Sequence, residues 1–113
     1  MKYILLIYGN ESGWSSMTPE QMSRIYAAHR AYGEEMTKAG VMKGGSELKP
    51  VATATSVRFA NGRPRTTDGP FAETKEQLAG FYLIEVNDLD AALAWAEKMP
   101  GMVDGTVEVR PLA

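Results

Sequence analysis

His29 is the one imidazole in a chain that has no cysteine, and histidine is the side chain whose ordinary pKa, about 6.5, lets it gain or lose a proton near neutrality. It can therefore serve as a general base or acid if a neighbouring group fixes the ring and stabilises its charged form. Asp68 is the carboxylate best suited to that task. It opens Asp68-Gly69-Pro70-Phe71, where Pro70 fixes its own backbone and restricts Gly69, so the aspartate is carried by a stiff segment. In such a pair the ring moves the proton while the carboxylate orients it and stabilises the imidazolium. Each residue also has a plainer role: a half-buried histidine bonded to a neighbour, and an aspartate serving its own turn. The two lie far apart in the chain, and sequence alone does not bring them together.

Other residues could hold a substrate beside such a pair. Glu73 follows in the same loop as a second acid/base candidate, and Phe71 supplies a ring. Arg58, with Arg63 and Arg65, could meet an anion, although the overall charge favours a solvated hairpin. Ser46 follows Gly44-Gly45 in a segment too short for a phosphate loop and lacking its lysine. Tyr8, Tyr26 and Tyr82 could line a pocket. Tyr8, Ser46, Arg58, Phe71 and Glu73 are the substrate-binding candidates.

The elements that must position these groups follow from periodicity and punctuation. Lys2 to Tyr8 reads as a strand with large apolar residues on both faces, and Asn10 to Ser16 as a polar loop carrying Trp14. Thr18-Pro19-Glu20-Gln21 has the pattern of a capping box with proline at the first helical position. From there Met22, Ile25, Tyr26, His29, Tyr32 and Met36 trace one face of a helix ending near Gly40. Val41 to Leu48 is a strand with a bulge or close backbone approach at Gly44-Gly45. Thr53 to Phe59 and Arg63 to Thr67 form a hairpin about a type I′ turn at Asn61-Gly62, with Pro64 marking an edge. Gly80 to Val86 is a strand apolar on both faces. Asn87 or Asp88 caps a helix with Leu89, Ala92, Leu93 and Ala96 on one face, and Thr106 to Leu112 closes the chain as a strand.

This order predicts an α+β fold, ferredoxin-like with an inserted hairpin, in one domain spanning residues 1–113. Two helices cover one face of its sheet. The apolar second faces of the first strand and of Gly80 to Val86 predict a homodimer. Twelve basic and fourteen acidic side chains leave a net charge of −2, which gives no general reason to bind nucleic acid or an anionic membrane. The opening apolar run is too short for a membrane helix and has no cleavage site after it. With no cysteine, a cytoplasmic location is the expectation. One histidine without cysteine gives no metal cluster of recognisable spacing.

Asp68-Gly69-Pro70-Phe71-Ala72-Glu73-Thr74-Lys75-Glu76, the following Gly80-Phe81-Tyr82-Leu83-Ile84-Glu85-Val86 and the upstream His29 resemble the DGPF branch of the YCII-related (YciI-like) family over nearly the whole chain. The resemblance implies a ferredoxin-like fold that dimerises as an α+β barrel, with His29 and Asp68 as an active-site pair. It also implies a small enzyme without cofactor, of lyase or isomerase type, acting on a small polar or aromatic metabolite. The alternative it implies is a non-catalytic ligand-binding or regulatory module linked to an extracytoplasmic-function sigma factor.

Overall fold

A computed structural model describes residues 1–113, and its longest helix begins where the capping pattern places it. The Thr18 side chain accepts the Gln21 N–H at 3.1 Å while the Gln21 side chain accepts the Thr18 N–H at 2.9 Å. Two otherwise orphaned donors are thereby satisfied at the start of helix α2, Pro19–Lys38. The preceding strand β1 spans Lys2–Gly9. Between them Asn10 to Ser16 is more than a loop. Asn10 caps a short helix α1, Glu11–Ser15, by accepting the Ser12 N–H at 3.0 Å. The signal was an asparagine just before a helical turn, which the polar composition masked.

Strand β2, Met42–Glu47, pairs with β5, Gln77–Glu85, and its register shifts between Met42 and Gly44, as the paired glycines predict. A side chain at Gly45 would sit 2.6 Å from the Phe81 carbonyl, so the close strand approach needs glycine there. Strands β3, Thr55–Ala60, and β4, Arg63–Asp68, form a separate two-stranded hairpin. Its turn residues Asn61 and Gly62 both have positive φ, 53° and 77°, as a type I′ turn requires. Helix α3, Leu89–Glu97, is capped by Asp88, and strand β6, Thr106–Pro111, ends the chain.

The main sheet has the order β2-β5-β1-β6 with every neighbouring pair antiparallel. One of its faces carries Tyr3, Leu5 and Ile84 into a core completed by Tyr32 and Met36 of α2 and Ala92 of α3. Leu5, Met36 and Ile84 are wholly buried, and each such side chain contributes about 1.5–3 kcal/mol of apolar burial. The other face carries Ile4, Leu6, Phe81 and Leu83, which are only half-buried and lie outside that core.

Two expectations need correction in detail. Strand β5 begins at Gln77, three residues before Gly80, and its pairing with β1 skips Ala79, so a bulge precedes the regular ladder. In α3 the inward residues are Ala92, Ala91, Trp95 and Ala96, whereas Leu89 and Leu93 are exposed. Ala92 and Ala96 keep the inward side that the sequence pattern assigns them, and the two leucines of that stripe do not. Trp95 decides the orientation: its ring packs edge-on against Tyr32, and its carbonyl accepts the Tyr32 hydroxyl at 2.6 Å.

Candidate functional site

Helix α2 carries His29 on the same inward stripe as Tyr32 and Met36, one turn nearer the open end of the sheet. There the helix, α1 and strands β2 and β5 border a half-open cavity of about 930 Å³. Its apolar wall includes Ile7, Trp14, Met22, Ile25, Met42 and Met102, and its polar groups include His29, Tyr82, Tyr26 and Glu47. Such a mixture, mostly apolar with a few convergent polar groups, is the usual composition of a small-molecule site. Short α1 shapes one side. It is tied to β5 by the Glu11 N–H donating to Gln77 Oε1 at 3.0 Å, and it lays Trp14 against Gly9, where a Cβ would fall 2.4 Å from the ring.

The ring of His29 is held by tyrosine. Its Nδ1 lies 2.8 Å from the Tyr82 hydroxyl, and the two rings stack with an interplanar angle of 13°. Tyr82 is in turn set edge-on against Tyr32, at 5.3 Å between centroids, and Tyr32 is anchored to the Trp95 carbonyl. With the proton on Nδ1, that N–H donates to the Tyr82 hydroxyl oxygen and leaves the lone pair of Nε2 free, on the side of Gly101. Burial raises the Tyr82 phenol above its ordinary range, so it stays a neutral hydroxyl.

Burial pushes the His29 imidazole below its ordinary value, opposed by the negative charge of Glu47 and by the Pro100 carbonyl. The ring is therefore neutral at physiological pH and able to accept a proton. This has a consequence for stability. An imidazole whose pKa is lowered in the folded state binds fewer protons there than in the unfolded chain over the interval between the two values. Stability from this group is fully present above about pH 6.5 and declines as pH falls from there through the folded-state value. Thermal melts of the wild type should lose stability over that interval, and His29→Gln should flatten that part of the profile; an unchanged slope in the variant would assign it to other groups.

At the mouth of the cavity the Tyr26 hydroxyl donates to Glu47 Oε1 at 3.0 Å. That bond, with burial behind it, raises the Tyr26 phenol.

Of the residues singled out from sequence, His29 and Ser46 line this cavity, and Tyr26 and Tyr82 join them. Asp68 does not line it within a single chain. It is exposed at the end of β4, opposite Thr55, where the Gly69 N–H donates to the Ala54 carbonyl at 2.7 Å. Arg58 and Glu73 are exposed, Phe71 is 81% exposed, and none of the three lines the cavity. Tyr8 is half-buried and also outside its wall. Trp14 and Glu47 carry no motif that marks them. Glu47 gains its place only because β2 pairs with β5 beside α2, a long-range fact with no local sequence signal.

The family model of the YCII-related domain matches residues 1–113. An uncharacterised protein of Rhizobium meliloti (strain 1021) is 39% identical over 115 residues, an alignment covering all of this chain and 93% of that protein.

Proposed function

This chain belongs to the YCII-related family, and on that premise we propose that its cavity binds a small, largely apolar or aromatic metabolite on which His29 performs acid/base chemistry of lyase or isomerase type. The observation that carries this reading is the neutral His29 ring, fixed at 2.8 Å by Tyr82 in the wall of a cavity large enough for a small molecule. An imidazole in that state takes a proton from a bound carbon or oxygen acid and returns it at another position. Tyr82 fixes the ring orientation and, by accepting from Nδ1–H, leaves Nε2 as the nitrogen that takes the proton, so it acts as a positioning residue.

The reading includes a ferredoxin-like arrangement and a homodimer. The antiparallel order β2-β5-β1-β6 supports the first, and the apolar sheet face with Ile4, Leu6, Phe81 and Leu83 supports the second. Asp68 takes part in the chemistry only if a second copy brings its loop to the cavity. The test is depletion of a metabolite from a cell extract by the wild-type protein and not by His29→Gln. Equal depletion by both would refute the role of His29.

A second reading, a regulatory module contacting an extracytoplasmic-function sigma factor, draws support from the hairpin. Val57 and Phe59 stand on one of its faces, with Phe59 73% exposed, on a two-stranded unit outside the main sheet. A sigma factor retained by the wild type and lost with Phe59→Ser would support this reading; a protein that retains none while converting a metabolite would end it.

A further inference from the structure

The charges around the cavity select among the small molecules that its size admits. Its wall holds two carboxylates, Glu11 and Glu47, and one guanidinium, Arg30, which lies where the wall continues into a neighbouring hollow containing Glu34 and Lys38. His29 adds no positive charge while its ring is neutral. Glu11 is occupied, its Oε1 accepting the Val51 N–H at 2.9 Å. Glu47 is differently placed. Its Oε1 accepts from Tyr26, and no lysine or arginine pairs with it, the ion pairs of the chain being Arg24 with Glu20, Lys98 with Glu35 and Arg110 with Glu108. The field of Glu47 reaches His29, so a charged group of a bound molecule between them would feel it as well.

From this arrangement we propose that the cavity takes an aromatic or apolar ligand bearing a protonated amine, its ring among Ile7, Met22, Ile25 and Met102 and its ammonium against Glu47. This rests on the reading of the cavity as a ligand site and names the chemical class it prefers. Trp14 and Tyr26 stand in the same wall, and aromatic rings of that kind attract a cation. Glu47 is itself exposed, so an ammonium there keeps part of its water while charge pairing and hydrogen bonding replace the rest. A carboxylate ligand meets the reverse balance: two acidic groups in the wall, one peripheral guanidinium, and a ring whose burial disfavours the cation that would pair with it. Apolar contact supplies the bulk of binding for either, so the discrimination comes from the charged end.

The experiment compares three probes that share one ring system, naphthylmethylamine, naphthylmethanol and naphthoate, titrated near pH 7 by protein-observed NMR. The amine should bind about tenfold more tightly than the alcohol, the sum of a partly solvated charge pair and a cation–π contact, and naphthoate should bind most weakly. Glu47→Gln should bring the amine down to the affinity of the alcohol and leave the alcohol unchanged. Tightest binding by naphthoate, equal binding of amine and alcohol, or an amine preference that survives Glu47→Gln each overturns the assignment while leaving the cavity as a ligand site. Failure of all three probes to perturb residues of the cavity overturns both this proposal and the reading beneath it.

Discussion

Leu5→Ala should lower the melting temperature by roughly 10–20 °C, because it removes about 2–5 kcal/mol from a fold of ordinary marginal stability. Leu5 is wholly buried at the centre of β1, between Tyr82 on β5 and Val109 on β6. Both flanking strands depend on it for packing, and the main chain on either side is held in ladders that leave little freedom to close the hole. The cost is the lost transfer energy plus the cavity that remains. Leu89→Ala is the fitting comparison. Leu89 belongs to the stripe that the sequence pattern assigns to the core, yet it is exposed, so its truncation should change stability by no more than about 0.5 kcal/mol. Similar losses for the two would mean that α3 presents its leucines inward after all. The Leu5 substitution has a second expected effect. A hole beside Tyr82 loosens the ring that holds His29, so histidine NMR signals should broaden before the protein unfolds.

The contrast between these leucines shows what the sequence made legible. Helix α2 was readable because three kinds of signal agree: the cap at Thr18, proline at the first position, and large side chains at steps of three and four. The hairpin turn was readable because Asn61-Gly62 satisfies a backbone conformation that few other pairs tolerate. Helix α3 was half readable: Ala92 and Ala96 lie inward as the pattern assigns, but Ala91 and Trp95 take the side given to Leu89 and Leu93, because alanine gives a weak periodic signal beside leucine. There the decisive contact, the Tyr32 hydroxyl on the Trp95 carbonyl, joins residues 63 positions apart. The site divides in the same way. His29 was visible as a polar interruption of an apolar stripe, a local pattern. Its partner was not, since Tyr82 lies 53 residues away on an apolar strand where a tyrosine reads as core. Asp68 drew attention through the rigidity of its loop, and stiffness says how firmly a carboxylate is held without saying what it faces.

The question of which group orients the imidazole can be decided through the largest functional effect expected of this protein. His29→Gln should reduce turnover of an identified substrate by about 10²–10⁴-fold, the usual contribution of a positioned acid/base group, equivalent to about 3–5 kcal/mol of barrier. Glutamine fills much of the same space and can still bond to Tyr82, so the folded state should survive; what it cannot do is take up a proton. In the wild type, kcat/KM should rise with pH through a value below about 6.5, as the base becomes neutral, and level off above it. Tyr82→Phe keeps the ring packing against Tyr32 and removes only the hydroxyl. It should lower kcat more than it changes KM and shift that pH limb, as a group that orients the base does. Asp68→Asn supplies the opposing test. If a second copy brings Asp68 to the imidazole, its loss should shift the same limb and cost activity on the scale of Tyr82→Phe or beyond, because the imidazolium formed in the reaction loses its counter-charge. If activity and the pH limb are unmoved by Asp68→Asn while Tyr82→Phe alters both, the ring is oriented within one chain by a phenol, and the stiff Asp68 loop serves the hairpin whose base it closes.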